Sequence, residues 1–252
     1  MKPICTSIPV MLIKYALVNR KVNHLMLFIY FKYIASGHIK YNNDNIKAWA
    51  TDINMSERWV KDALKWMIRN KWITVNRKKK CYRIISYKQL CNKLKISSIS
   101  ATIYEPDDFS GFKDFCCAVV ITYFLKLKNY TDKKKSQSVS SLTDTSSSWY
   151  FYSKGFCAMP ITYLAKCLGV SDSTANKYKK CAVKSKLLEV RKHFRVLIDK
   201  KGNKIAVEHL PFIKATHPNI AGRLRTNGKY ISIVEADIMK SEVYTKRKRY
   251  KV

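Results

Sequence analysis

The spacing of apolar positions changes along the first third of the chain. Residues 8–18 and 22–35 are mostly apolar, and they predict a leading helix followed by a buried helix. From Val60 to Ile68 the apolar residues recur three and four positions apart, which is typical of one face of an amphipathic helix. Residues 72–75 and 82–85 are rich in β-branched and aromatic side chains and predict a pair of strands.

Polar signals divide this region into helix, strand, helix, helix and hairpin. Residues 38–41 predict a short strand, and a helix capped by Asn43 or Asp44 follows. Ser56 is a suitable N-cap for the amphipathic helix. The connection between the two strands, residues 77–80, contains four successive cations and predicts a hairpin with a cationic tip.

The same order of elements recurs from residue 111 onward. An apolar helix over 111–127 is followed by strand-like residues 149–158. A further helix ends at Gly169, which supplies the backbone freedom of a tight turn, and Ser171 caps a third helix over 172–186. This spacing is that of a helix-turn-helix.

A second hairpin completes the repeat. Its predicted strands are residues 187–191 and 204–207, and the turn sequence 199–203 lies at its tip. Ala165 is small enough for the two helices of the turn to cross closely.

The segment from Leu164 to Arg191 resembles the winged helix-turn-helix of bacterial and phage regulators and replication proteins. The resemblance rests on the pattern A-x-x-L-G-V-S-x-x-T followed by K-L-L-x-V-R. The tandem arrangement over residues 22–210 resembles the two-winged-helix replication initiators of plasmids and phages. It implies an α+β chain, mostly α, with two winged-helix domains in tandem.

The first copy departs from this pattern at its turn. Ile53-Asn54-Met55 contains no glycine, and the tryptophans of the copy include Trp59, Trp66 and Trp72. Large aromatic residues fill cores or anchor interfaces. Two interpretations therefore stay open, a tryptophan-rich core or a homodimer formed through the N-terminal domain.

These patterns predict four regions. They are an N-terminal domain over 1–96, a linker over 97–110 that is rich in serine and acids, a second domain over 111–210 with a mobile insertion at 129–148, and a basic C-terminal extension over 211–252.

The net charge points to a polyanionic partner. The 252 residues include 49 Lys and Arg against 17 Asp and Glu, a formal charge of +32. The codon bias of an AT-rich genome accounts for many lysines, but it does not obviously account for so few acids. Self-repulsion of this size favours a partner that supplies counter-charge, and double-stranded DNA is the partner that the helix-turn-helix pattern implies.

Candidate DNA contacts are the polar and basic residues on the third helix of each copy, at the hairpin tips and in the C-terminal extension, the elements that approach DNA in winged-helix docking. In the first domain they are Arg58, Lys61, Lys65, Arg69, Arg77, Lys78, Lys79 and Lys80. In the rest of the chain they are Ser171, Ser173, Thr174, Asn176, Lys177, Lys180, Lys200, Lys201, Lys246, Arg247, Lys248 and Arg249.

Other classes of protein fit less well. The apolar runs are broken by Lys14 and Lys32, so we expect no membrane span, and with no secretion signal we expect a cytoplasmic protein. The eight cysteines include no C-x-x-C pair and suggest reduced thiols rather than zinc ligands. We find no phosphate-binding glycine loop, no metal-holding histidine pair and no evident small-molecule substrate, so we expect neither an enzyme nor a cofactor.

The sequence therefore favours a sequence-specific double-stranded DNA-binding protein of a plasmid or phage, with replication initiation as its role. A transcriptional regulator of such an element, or a packaging protein that binds DNA without sequence preference, remain the alternatives.

Overall fold

The structure is a computed structural model that describes residues 6–35, 37–40, 42–105, 109–139, 155–199 and 201–247. It is an α+β protein in which helices are combined with small antiparallel sheets of three strands. None of the helices in these ranges is long and apolar enough to cross a membrane.

The first module has the element order helix, strand, helix, helix, strand, strand. Its elements are α2 (Val22–Ile34), β2 (His38–Lys40), α3 (Asn43–Asp52), α4 (Glu57–Arg69), β3 (Ile73–Asn76) and β4 (Cys81–Ile84), preceded by β1 (Thr6–Pro9) and α1 (Val10–Val18) and followed by α5 (Tyr87–Lys93) and β5 (Ser100–Tyr104). Ser56 caps α4 as predicted, whereas α3 is capped by Asn42 rather than by Asn43 or Asp44.

The second module repeats this order. Its elements are α6 (Phe112–Val139), β6 (Cys157–Ala158), α7 (Ile161–Leu168), α8 (Asp172–Lys184), β7 (Leu188–Arg191) and, after a long excursion, β11 (Ile238–Ser241). In both modules the last strand lies between the other two, giving the sheet orders β2-β4-β3 and β6-β11-β7. Apart from the excursion, the two modules therefore share their element order and the strand order of their sheets.

The prediction of a second hairpin built from residues 187–191 and 204–207 is wrong. β7 pairs with β11, in a register that places Val190 opposite Met239. Residues 204 and 206 instead form isolated bridges with Ile198 and Tyr230.

The excursion between β7 and β11 forms a separate small unit, here called the inserted lobe (residues 192–237). It contains β8 (Phe194–Val196), α9 (Leu210–Thr216), α10 (Pro218–Ala221), β9 (Leu224–Asn227) and β10 (Tyr230–Val234). Its sheet has the order β8-β10-β9, and its own core consists of Ile213, Leu224, Ile231 and Ile233. The region from residue 211 onward, which the sequence predicts as a basic extension, supplies most of the lobe and also the strands β11 and β12.

The predicted linker also has a structural role. β5 lies within residues 97–110 and is the central strand of a sheet with β1 on one side and β12 (Thr245–Arg247) on the other. This sheet joins the beginning, the middle and the end of the described chain. Asp107 and Asp108 lie outside the described residues.

The helix predicted over 111–127 extends to Val139, so the first part of the predicted insertion 129–148 is helical. The rest of that insertion, and residues 149–154 of the predicted strand 149–158, lie outside the described residues.

One continuous core unites the two modules. The segment Cys116–Ile121 of α6 is buried on all sides, as expected for a helix without a polar face. It packs against α1 and α8, and α1 in turn packs against α2. Hydrogen bonds also cross this junction: Lys14 Nζ donates to the carbonyl of Cys167 at 2.6 Å, and Tyr178 Oη donates to the carbonyl of Leu17 at 3.0 Å.

The two helix-turn-helix turns have the same geometry despite their different sequences. Gly169 has φ +74°, and the amide of Val170 donates to the carbonyl of Ala165 at 3.1 Å. In the first module Asn54 has φ +53°, and the amide of Met55 donates to the carbonyl of Ala50 at 2.8 Å. Asparagine tolerates the left-handed region better than most residues, so it replaces glycine here.

This equivalence predicts opposite results for two substitutions of Asn54. Asn54→Gly should leave the free energy of unfolding nearly unchanged, whereas Asn54→Val should lower it by about 1–2 kcal/mol because a β-branched residue is strained at positive φ. Urea unfolding followed by circular dichroism measures both. Equal stability of the two variants would contradict the assigned turn conformation.

Candidate nucleic-acid interface

α4 buries one side and exposes a basic side. Val60, Ala63, Leu64 and Met67 lie in the core, and the Ser56 hydroxyl accepts a hydrogen bond from the amide of Trp59 at 3.2 Å. The predicted contact residues are all exposed: Arg58, Lys61, Lys65 and Arg69.

The connection between β3 and β4 places four cations together at the surface. Arg77, Lys78, Lys79 and Lys80 are all exposed. The turn is closed by the Lys80 amide, which donates to the Arg77 carbonyl at 3.3 Å, and by the Lys79 amide, which donates to Asn76 Oδ1 at 3.1 Å. This arrangement can meet a row of phosphates.

The N-terminus of α8 is a cluster of hydroxyl groups. Ser171 Oγ caps the helix by accepting a hydrogen bond from the Thr174 amide at 3.3 Å, and it lies 3.0 Å from both Ser173 Oγ and Thr174 Oγ1. One turn further, Asn176 is partly exposed and Lys177 and Lys180 are more exposed. Donors and acceptors therefore cover the N-terminal half of this helix.

The two turns also align the third helices residue by residue. When Asn54 is matched with Gly169, Ser56 matches Ser171, Lys61 matches Asn176, and Lys65 matches Lys180. The same alignment pairs Lys71 with Lys186, and both have positive φ, of 56° and 59°. Sequence reasoning missed this equivalence because the glycine that marks the second turn is absent from the first.

Two lysines of α4 pair with acids of the same helix. Lys61 pairs with Glu57 at 3.9 Å and Lys65 with Asp62 at 3.6 Å, both on the exposed surface, where such pairs contribute only about 0.2–0.5 kcal/mol. Within the described ranges, no ion pair involves Arg58, Arg69, the cations of residues 77–80, Lys177 or Lys180. The positive charge of these surfaces is thus left for an external anion.

Asp237 ties the inserted lobe to α8. Its carboxylate accepts from Lys179 Nζ of α8 at 2.6 Å and lies 3.2 Å from Lys192 Nζ, at the other end of the lobe. Burial alone would raise the pKa of Asp237, but the two lysines outweigh it and hold this pKa below its ordinary value. The two ends of the lobe therefore lie close together beside α8, and β11, which follows the lobe, pairs with β7.

Some predicted contacts lie away from the third helices. Lys201 is exposed in a turn of the inserted lobe, where its amide donates to Asp199 Oδ1 at 2.8 Å. Lys246 and Arg247 belong to β12, where Lys246 is paired with Ala101 of β5, so this part of the predicted arm is a strand. Lys200, Lys248 and Arg249 lie outside the described residues.

Trp59, Trp66 and Trp72 of the first module belong to one aromatic cluster. Trp72 is buried and its ring centroid lies 5.3 Å from that of Trp66. His24 packs edge-on against Trp59 and Trp66, at 5.6 and 4.6 Å between centroids. Burial, and then the charge of Lys21, lower the pKa of His24 to about 4. The core interpretation is confirmed for Trp72, and homodimer formation remains a prediction.

The described residues contain no group of three His, Cys, Asp or Glu side chains placed to hold a metal ion. Comparison of the chain with protein-family models, with curated proteins and with solved structures gives no match.

The Asp237 contacts predict a measurable loss of stability. Asp237→Asn should lower the free energy of unfolding at pH 7 by about 1–3 kcal/mol, because it removes charge-assisted hydrogen bonds at a mostly buried site. The loss of unfolding free energy should be smaller for Lys192→Gln, because Lys192 is exposed.

The same contacts predict a pH dependence. Because the pKa of Asp237 is lowered by folding, the contribution of Asp237 to the free energy of unfolding is complete above the ordinary carboxyl pKa of about 3.9. It disappears as the pH falls through the native pKa. Urea unfolding at several pH values should therefore show the wild type and the Asn variant converging in acid. A constant difference at all pH values would argue against this assignment.

Proposed function

We propose that both modules are winged-helix domains and that the protein binds double-stranded DNA with sequence preference. The observation that carries the proposal is the repeat itself: the same element order, the same sheet order and the same turn, each followed by a third helix with an exposed polar face. A helix presented in this way fits the major groove.

The two third helices differ in the groups that they offer to DNA. α8 combines hydroxyl groups with Asn176 and Lys177, which hydrogen-bond to base edges, since asparagine pairs with adenine and lysine with guanine. α4 offers mainly cations, and the turn at residues 77–80 adds four more, which suits contact with phosphates. We infer that the second module reads sequence and that the first mainly supplies affinity.

The role that we propose is replication initiation for a plasmid or phage, where two adjacent modules would bind repeated sites at an origin. A transcriptional regulator would use the same surfaces at promoters, and a packaging protein would bind without sequence preference. Footprinting on DNA adjoining the gene separates these roles: protection of direct repeats supports an initiator, protection of a promoter supports a regulator, and uniform protection supports packaging.

The assignment of base contacts to α8 predicts altered specificity. Asn176→Ala and Lys177→Ala should relax the preference at one or two base pairs, each good contact giving about 1–3 kcal/mol of discrimination. The matched control is Lys61→Ala, at the position in α4 equivalent to Asn176, which should weaken binding to all sequences. Selection from randomised DNA sites measures the preference. An unchanged preference in both α8 variants would exclude this helix as the reader.

The assignment of phosphate contacts predicts the salt dependence. The logarithm of affinity should fall linearly with the logarithm of salt concentration, with a slope of about −0.9 for each phosphate neutralised. Replacing Arg77, Lys78, Lys79 and Lys80 with Gln should make the slope shallower by about 0.9 for each phosphate that these side chains neutralise in the wild type. Fluorescence anisotropy between about 50 and 200 mM salt, the range over which such binding usually weakens, measures the slope. A nearly flat slope in the intact protein would refute DNA binding through phosphates.

A further inference from the structure

The sheet of the inserted lobe has two different faces. Residues paired across antiparallel strands share a face, and successive residues alternate between faces. The pairing of Ile233 with Leu224, together with Ile231, defines an inner face. These residues form the core of the lobe with Ile213 of α9, so the helical segment covers this side.

The outer face carries aromatic and aliphatic side chains that reach solvent. The register places Val234 opposite Phe194 and Ser232 opposite Val196, with Tyr230 on the same side. Phe194 is 47% exposed and Tyr230 is 39% exposed. Ile198 extends this apolar surface beyond the end of β8 and is 62% exposed.

Cations surround this outer face. Arg225 is paired with Ser232, and Arg223 precedes β9 and donates from Nε to the carbonyl of Val234 at 3.0 Å. Lys204 forms a bridge with Ile198, and its Nζ lies 5.2 Å from the centre of the Tyr230 ring.

The four acids of the lobe lie outside its three strands. Glu235 binds His193 at 3.0 Å and Arg195 at 3.0 Å, and Asp237 binds the lysines at the base of the lobe. Asp199 accepts hydrogen bonds from the amides of its own turn, and Glu208 lies in the short helical turn Val207–His209. Among the described residues of the three strands, none on the outer face is a carboxylate. The face is therefore complementary to an anion.

A polar group lies within this surface without a partner. Ser232 is fully buried at the centre of the outer face, and in the described structure its hydroxyl has no hydrogen-bond partner. Because this hydroxyl is out of reach of solvent, the groups that can meet a ligand are the exposed rings and cations around it.

We propose that the outer face of the inserted lobe binds single-stranded nucleic acid. Bases stack on Phe194 and Tyr230, and the phosphates between them meet Lys204, Arg223 and Arg225. None of these residues belongs to α4 or α8, so this activity is additional to duplex binding.

The aromatic rings favour a single strand over a duplex. In a duplex each base is stacked between its neighbours and paired at its edge, so a ring on a flat sheet has no base face to contact. An unpaired strand exposes its base faces, and aromatic side chains on an open sheet bind them with little sequence preference.

The test compares single-stranded and duplex probes on the full-length protein. Fluorescein-labelled dT12 and rU12 serve as single strands, and a duplex containing the selected site serves as the control, all measured by fluorescence anisotropy. Phe194→Ala and Tyr230→Ala should each weaken single-strand binding by about 5- to 150-fold. Duplex affinity should remain unchanged. Comparison of dT12 with rU12 shows whether DNA or RNA is preferred.

Three further variants keep the result interpretable. Tyr230→Phe retains the ring and should retain single-strand binding. Phe212→Ala removes a ring that is 68% exposed on α9, the helix packed against the inner face, and it should have no effect. Asn176→Ala on α8 should impair recognition of the duplex site while leaving single-strand binding intact, so failure of the two proposals can be distinguished.

The proposal is overturned if the intact protein does not bind dT12 or rU12. It is also overturned if the alanine variants at 194 and 230 bind both probes as well as the wild type, or if Phe212→Ala weakens binding equally. Circular dichroism of each variant shows whether the lobe remains folded, and the retained activity of Tyr230→Phe separates loss of the ring from loss of the fold.

Discussion

The packing of α6 against α1 and α8 is the interaction on which the rest of the structure depends. The middle of α6 is buried on every side, and burial of each large apolar side chain stabilises the fold by about 1.5–3 kcal/mol. Because α1 belongs to the N-terminal segment and α8 to the second module, the same helix fixes both. Apolar packing alone is not directional, whereas the hydrogen bonds that Lys14 and Tyr178 donate across this junction have a preferred geometry.

The fold must also hold together under a formal charge of +32. Its carboxylates are placed where they support the backbone: Glu57 and Asp172 lie in the first turns of α4 and α8, where the helix dipole favours negative charge, and Asp237 joins the ends of the inserted lobe. Half of the cations of the third helices (Arg58, Arg69, Lys177 and Lys180) and those of residues 77–80 form no ion pair within the described ranges. The same arrangement that keeps the protein folded thus leaves its proposed DNA-binding surfaces positive.

The inserted lobe changes the second module without changing its sheet. β11 occupies the position in the second sheet that β4 occupies in the first, although the lobe separates it from β7 in sequence. The two ends of the lobe meet at Asp237 and Lys192, so β11 begins close to the end of β7. The lobe has its own core, so its outer face is available for a function that the two modules do not perform.

The sequence by itself determined the local elements. The caps Ser56 and Ser171, the amphipathic spacing of Val60–Ile68, and Gly169 act over one or two helical turns, and the structure contains the helices and the turn that they predict. The left-handed turn at Asn54 carried a weaker signal, since asparagine adopts that conformation less often than glycine.

Only the tertiary structure decided which strands pair. Residues 204–207 and β11 are both suitable partners for β7 by composition. The strand that pairs is β11, next to the contacts of Asp237 with Lys179 and Lys192, which join residues far apart in sequence. For the same reason, the joining of β1, β5 and β12 and the outer face around Phe194 and Tyr230 follow from long-range pairing, which no short pattern in the chain encodes.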